Sequence, residues 1–592
     1  MSRTVSHYEV MKAITADVAS PDIRAHKSDA AARPFLVAEK SRDERWITFG
    51  LFLLSCLYLW LFGRYTAIDP DEGITLQAAQ RILEGQVLYR DFFSYFTPGS
   101  YYLTALLFKI CGSSMLVART ALVVYGGFFT VFTYLMARRV CSRRCALLTA
   151  CLVILTCLPW RFMALHNWDS TLWACATLYC AMWLVQEPHW GWAVATGSLA
   201  SLTVLFEQSK GAGLILGLAL GFAVIRFSGK RGGASTTPTE GRQWLSRAQW
   251  IALGAGLAWP FVVTFAYFGA HHALPALWAD WAWPLHHYTR ANTVPYGYQE
   301  WSSFAREEML GSGPLSQRLV TLLALSPSFL LPVLPIIAIV LLFHWVLAAR
   351  RGHVAAERAA YYVLVCSSIA GLLLSVIVVR ANIIHFVYLI PIFYLVVAWF
   401  MDGADILSPL VSLIKPAATV CLCIAFTALG MAFLLRNSDG RRLIETRRGT
   451  LRAAMPDAVL EYTQAHVPSG SRILVYPYLP LYYFLTATFS PTCYEYLQPG
   501  MHTREQEEEA IRQIAADNTP VVLFEPAFTE AIPASWPNTP LEALAKDAVA
   551  DYILQHYRSC RVLKSAGGWS VAFMVRKDLG CPSSEDHRIA SK

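Results

Sequence analysis

Apolar positions in this chain gather into long runs separated by short polar turns. Many of the runs approach about 20 residues, the length that carries a helix across a bilayer. Eleven such runs can be counted: Trp46–Arg64, Leu116–Ala137, Cys145–Leu158, Trp168–Val185, Trp190–Phe206, Gly211–Phe227, Trp250–Ala270, Leu319–Leu347, Ala359–Val379, Ile383–Phe400 and Ala417–Leu435. The pattern predicts an all-α polytopic membrane protein over residues 46–436, followed by a soluble α/β domain over 437–592. In that last region, short strand-like runs (Ile473–Tyr476, Val521–Phe524, Val571–Val575) alternate with helix-like ones (Thr503–Asp517, Leu541–Tyr557). Thr503 and Gln506 have capping-box spacing. Residues 1–45 are polar and predict a disordered cytoplasmic tail, too long and too hydrophilic for a signal peptide.

Between the first two runs lies a loop, 65–115, that is polar without being featureless. Thr75–Leu83 reads as a short amphipathic helix and Tyr101–Cys111 as an apolar segment too short to cross. Both are expected in the interface plane, beside a belt of aromatic residues.

Composition agrees: 55% of the 592 residues are hydrophobic, 15% are charged and the mean hydropathy is +0.40. The net charge of +8 reflects loop asymmetry rather than nucleic-acid binding, for which no motif appears. With the N-terminus inside, basic residues such as Arg138, Arg139, Arg143, Arg144, Arg350 and Arg351 fall in cytoplasmic loops, as the positive-inside rule requires. The C-terminal domain then lies outside the cell, in a multi-pass plasma (inner) membrane protein. Most of the 14 cysteines sit in apolar runs, where they act as small hydrophobes. Cys493, Cys560 and Cys581 allow one disulfide of undetermined pairing.

Chemistry concentrates on the outer face. Asp69, Asp71 and Glu72 open the loop after the first span. A carboxylate there can take an acceptor proton or hold a metal; alternatively, first-turn acids merely complement a helix dipole. Lys210, Arg380 and Arg119 lie at outer ends of spans, where a cation is costly and suits a phosphate partner, unless it snorkels to the interface. His166, Asn167 and Asp169 form a polar outer turn, as either cavity lining or an interhelical hydrogen-bonded turn. The loop from His271 to Trp301 is rich in rings and reads as an interfacial anchor or a stacking surface for sugar and isoprenoid. Its adjacent histidine pairs are a weak metal signal, and no metal-ligand set is assigned.

The runs Asp69-Pro-Asp-Glu-Gly73, Ala78–Gly85, Val87-Leu-Tyr-Arg-Asp91, Thr97–Tyr102 and Gly112…Arg119 resemble the first outer loop of the membrane-embedded C-type glycosyltransferases. The bacterial enzymes similar to protein O-mannosyltransferases and to the aminoarabinose transferase of lipid A are the nearest in pattern. In residues the likeness spans Ala67–Arg139. It implies an inverting transferase that takes sugar from a polyprenyl-phosphate donor, on the outer membrane face, to a protein, lipid or glycan acceptor. The catalytic acid falls on Asp71, with Glu72 beside it and Asp69 and Asp91 as further candidates. Lys210, and Arg380 with His385, match basic positions that recur in the family. Arg119 and His166 complete the candidate substrate-binding set, and a divalent metal is optional. The chain departs from the aminoarabinose branch, which has an Arg three residues after its loop Asp and a Lys before Pro-Pro. Here those positions are Ile74 and Thr97, followed by the single Pro98, so donor contacts must differ. The rival readings are a transporter or flippase of lipid-linked sugars and a non-catalytic envelope polysaccharide assembly protein.

Overall fold

The computed structural model describes residues 42–63, 70–229, 245–287, 292–299, 313–350, 356–403, 409–438, 440 and 442–582. Most of the expected N-terminal tail, and Asp69, lie outside them. Residues Phe49–Lys592 fold as one compact unit. Met1–Thr48 form the other unit, of which the described part is the start of a helix, with Thr48 Oγ1 donating to the Glu44 carbonyl at 3.0 Å.

Among the described residues, six helices are long and apolar enough to cross a membrane: Met115–Val140, Arg143–Trp160, Gln208–Phe227, Arg247–Ala270, Arg358–Val379 and Leu413–Ser438. A seventh crossing arises if Leu315–Leu330 and Val333–Leu347, bent by 42° at their junction, count together. Read from sequence as one run, this pair breaks next to Pro332, whose missing N–H cannot continue the ladder. Trp190–Phe206 and Ile390–Asp402 are apolar but shorter. Of the expected eleven runs, two fall on these short helices and two on helices Arg42–Trp60 and His166–Gln186, which are long but not apolar enough to count, so the two numbers differ.

Small residues let the spans approach closely. Gly213, Gly217 and Gly221 on helix Gln208–Gly229 face Ser367, Ser368 and Gly371 on helix Ala356–Val379. A Cβ at Gly213 or Gly371 would fall on the other's carbonyl. This is the small-residue seam by which membrane helices pack.

The region from Arg442 onward opens with an antiparallel hairpin, β1 (Arg442–Thr446) and β2 (Gly449–Ala453). A four-stranded sheet follows, in the order β3 (Leu474–Tyr476), β4 (Val521–Phe524), β6 (Ser570–Arg576), β5 (Tyr557–Lys564). β3 and β4 run parallel and the other pairs antiparallel. The capping box at Thr503 and Gln506 starts helix Arg504–Asp517. The single helix expected over Leu541–Tyr557 is two, Leu541–Ala545 and Ala548–His556, because Asp547 caps the second afresh.

The sheet core does not end at its own region. Val475, Leu523 and Phe573 share one buried cluster with Leu76 and Ala79 of helix Pro70–Leu83 and with Phe108 of helix Gly99–Cys111. Phe108 stacks on Phe484 at 5.5 Å and 15°. The two loop helices, expected in the interface plane, thus bury apolar faces against the α/β region. Leu106 and Ile110 remain exposed on the opposite side.

Candidate active site

Helix Pro70–Leu83 begins with Pro at its first position and acids directly behind it, the arrangement that best suits an N-terminus. Asp71 and Glu72 are adjacent in sequence but meet opposite surroundings. Glu72 is fully buried. Arg119 Nε donates to its Oε1 at 2.8 Å and Nη2 to its Oε2 at 2.5 Å, and the Ala164 amide adds a third bond at 2.8 Å. The same guanidinium donates to the Phe162 carbonyl at 2.5 Å. With Arg119 only 2% exposed, contact with a lipid phosphate would require this pair to open.

Asp71, by contrast, keeps 37% of its side chain exposed. Arg161 Nη2 donates to its Oδ2 at 2.6 Å, and the Tyr478 hydroxyl donates to its Oδ1. Of the two acids, Asp71 alone is accessible.

A second group forms where helix Trp190–Phe206 ends. Glu207 takes an extended backbone before helix Gln208–Gly229 begins, which turns Glu207 and Lys210 toward the start of helix His166–Gln186. Lys210 is buried and pairs with Glu207 at 2.9 Å. Its Nζ also donates to the Asn167 carbonyl and Ser170 Oγ, both at 2.8 Å, and to Thr171 Oγ1 at 3.1 Å. Glu207 accepts from Ser170 Oγ at 2.8 Å and Asn167 Nδ2 at 3.3 Å. His166 packs its ring on Phe96 at 4.3 Å and lies within electrostatic reach of Asp71, Glu207 and Lys210. Asp169 is buried, beside Ser100 and Tyr125 and within electrostatic reach of Lys210.

The third group sits at the turn after helix Ala356–Val379. Arg380 is buried; its Nη1 donates to Asn292 Oδ1 at 2.8 Å and its Nη2 to the Ser535 carbonyl, while the Trp536 ring lies 5.5 Å away. His385 Nδ1 meets Asn382 Oδ1 at 2.6 Å. Glu207, Arg380, Lys210 and Arg161 are all in electrostatic reach of His385, so the three groups lie near one another.

Asp91 is placed differently. It closes its own turn, accepting from the Val87 amide at 2.7 Å and pairing with Arg90 at 2.8 Å. The Arg90 fork holds its carboxyl below the usual range. Sequence reading passed over Tyr478, Arg161 and the Ser535–Trp536 pair as site residues. Arg161 stood beside a flagged turn. Tyr478 and Trp536 carry no local signal, since only folding brings them to the loop. Among the described residues, no group of three or more His, Cys, Asp or Glu comes together as metal ligands.

In sequence, residues 96–237 match the family model described as dolichyl-phosphate-mannose-protein mannosyltransferase. This bears out the resemblance to C-type glycosyltransferases carried by the first outer loop. No curated protein matches the chain in sequence. Several solved structures are similar at low identity, among them the following three. ArnT from Cupriavidus metallidurans bound to undecaprenyl phosphate is 14% identical, with 89% of this chain and 98% of that one covered and a TM-score of 0.48. The Archaeoglobus fulgidus oligosaccharyltransferase in complex with Zn and sulfate is 13% identical, over 88% and 73% of the two chains, with a TM-score of 0.48. The same organism's AglB, in complex with an inhibitory peptide and a dolichol-phosphate, is 12% identical over 92% and 76%, with a TM-score of 0.46. At these TM-scores the likenesses do not bear on what this chain does.

Proposed function

We propose that this chain is an inverting glycosyltransferase. It moves a sugar from a polyprenyl-phosphate donor to a protein, lipid or glycan acceptor on the outer membrane face. One observation carries the reading: an accessible carboxylate, Asp71, is fixed by two donors beside a buried cluster of cations. In the step, the acceptor's hydroxyl or amine attacks the anomeric carbon and gives its proton to Asp71. The anomeric C–O bond breaks, and the phosphate leaves with the electron pair. Lys210 and Arg380 stabilise the charge that develops on it, exchanging some of their present partners for phosphate oxygens. His385 and His166 line the same space. Glu72 acts through its pair with Arg119, shaping the first turn that carries Asp71.

The bridge between Cys560 and Cys581 supports an oxidising compartment for the α/β region. Tyr478 of that region touches Asp71, so the site shares that face.

The test is release of polyprenyl phosphate from a panel of polyprenyl-phosphate sugars, using membranes with the wild type or Asp71→Asn at equal abundance. Release by the wild type alone supports the reading. Equal release by both removes Asp71 as the base. No release from either, with labelled donor crossing the membrane, would replace a transferase with a transporter.

A further inference from the structure

The helix that carries Asp71 is gripped along its length by the α/β region. At its start, the Tyr478 hydroxyl donates to Asp71. Two residues on, Gly73 lies so close to Pro480 and Leu481 that a Cβ would fall on the Leu481 amide. Gln77 Nε2 donates to the Thr488 carbonyl at 3.3 Å. Near its end, Arg81 Nη1 donates to the Thr492 carbonyl at 3.1 Å and pairs with Glu495 at 2.9 Å. Each partner lies in the single stretch from Tyr478 to Glu495.

Tyr478 is itself held by rings. Tyr496 meets it edge-on at 4.8 Å, Phe528 lies at 5.5 Å and Trp536 at 6.2 Å. Trp536 in turn covers Arg380. Neighbouring backbone ties the same wall to the Arg380 turn: Tyr298, whose carbonyl accepts from Ile383, donates its hydroxyl to the Ala534 carbonyl at 2.9 Å. The wall therefore touches the carboxylate at one end and a phosphate-side cation at the other.

We propose that Tyr478 is a positioning residue for the transfer step, and that the α/β region is a working part of the active site rather than an appended module. This rests on Asp71 being the base. The physical reason is geometric. A carboxylate on an exposed first turn can rotate about two side-chain bonds. Donors on both oxygens, Arg161 on Oδ2 and Tyr478 on Oδ1, leave it one orientation, and only an oriented base converts proximity into rate. Arg161 comes from the membrane helices and Tyr478 from the α/β region, so neither part alone fixes the base.

The experiment compares Tyr478→Phe with Asp71→Asn and Tyr557→Phe in the full-length protein, measuring kcat and KM for the polyprenyl-phosphate sugar that the wild type uses. Tyr478→Phe keeps the ring contacts and deletes the donor. It is expected to lower kcat about 10- to 100-fold, the range for losing one hydrogen bond to a charged group, with KM within about twofold because the donor lipid is held by other residues. Tyr557→Phe removes another buried hydroxyl of the α/β region, which donates to the Thr519 carbonyl and does not meet Asp71; its kcat should stay within about twofold of wild type. Full kcat in Tyr478→Phe while Asp71→Asn is inactive would overturn the proposal and leave the base in place. An equal fall in Tyr478→Phe and Tyr557→Phe would overturn it in favour of a general loss of stability in the region. Full activity in Asp71→Asn would instead remove the base on which it rests.

Discussion

Arg119 and Glu72 close on each other completely: both oxygens of the carboxylate are taken by one guanidinium, and neither side chain exceeds 2% exposure. Glu72 is therefore a sealed acid next to the accessible Asp71. Breaking a buried pair from one side strands a charge and costs about 3–5 kcal/mol. Glu72→Gln is expected to lower the melting temperature and abundance of the detergent-solubilised protein sharply. Asp71→Asn should keep both near wild type while losing transfer. Equal stability of the two variants would contradict this division of labour.

Gly73 is the glycine of the Asp-Pro-Asp-Glu-Gly run, and the reason for it lies some 400 positions along the chain. Gly73→Ala would push its methyl into the backbone of Pro480 and Leu481, so helix and wall must separate. Overpacking of this kind typically costs about 1–3 kcal/mol. Gly254→Ala, in a membrane helix with open space around it, should be neutral or slightly stabilising. Thermal melts of the two variants check the contrast.

Asp280, on helix Leu274–His286, accepts from the Ser94 amide at 3.1 Å. Burial raises its pKa from 3.8 to about 7, against the lowering by that amide. The folded state thus prefers the protonated acid, and the stability it contributes is fully present below pH 3.8 and is lost as pH rises through about 7. Asp280→Asn keeps the acceptor and cannot ionise. Melting temperatures measured between pH 4 and 8 should fall less steeply with pH in the variant than in the wild type; parallel curves would rule the effect out.

Cys560 of β5 is bridged to Cys581, 21 residues later. A loop of that size gives about 3 kcal/mol of stabilisation in the chain-entropy account. In intact cells the two thiols should resist maleimide until a reductant is added, and Cys560→Ser should melt earlier. Free labelling without reductant would place the α/β region on the reducing side.

Sequence alone determined the features that depend on local chemistry. The apolar runs had to become helices, since a backbone in lipid must satisfy its own hydrogen bonds. The capping box set the start of helix Arg504–Asp517, and strand Val521–Phe524 followed from a short β-branched run. The cluster Asp71 and Glu72, the turn at Glu207–Lys210 and the turn at Arg380 were legible because charge is scarce and costly among apolar helices.

The tertiary structure decided what depends on pairing across the chain. Asp71 and Glu72 look alike in sequence, and only the approach of Arg119 seals one while Arg161 and Tyr478 leave the other partly open. Strand β5 and the hairpin β1–β2 escaped notice because their mixed sequences, with few buried positions, carry weak periodicity. Membership of the site by Tyr478 and Trp536 was equally hidden. Local pattern reports which face a residue buries; which distant residue arrives at that face is set by long-range packing, and no spacing rule encodes it.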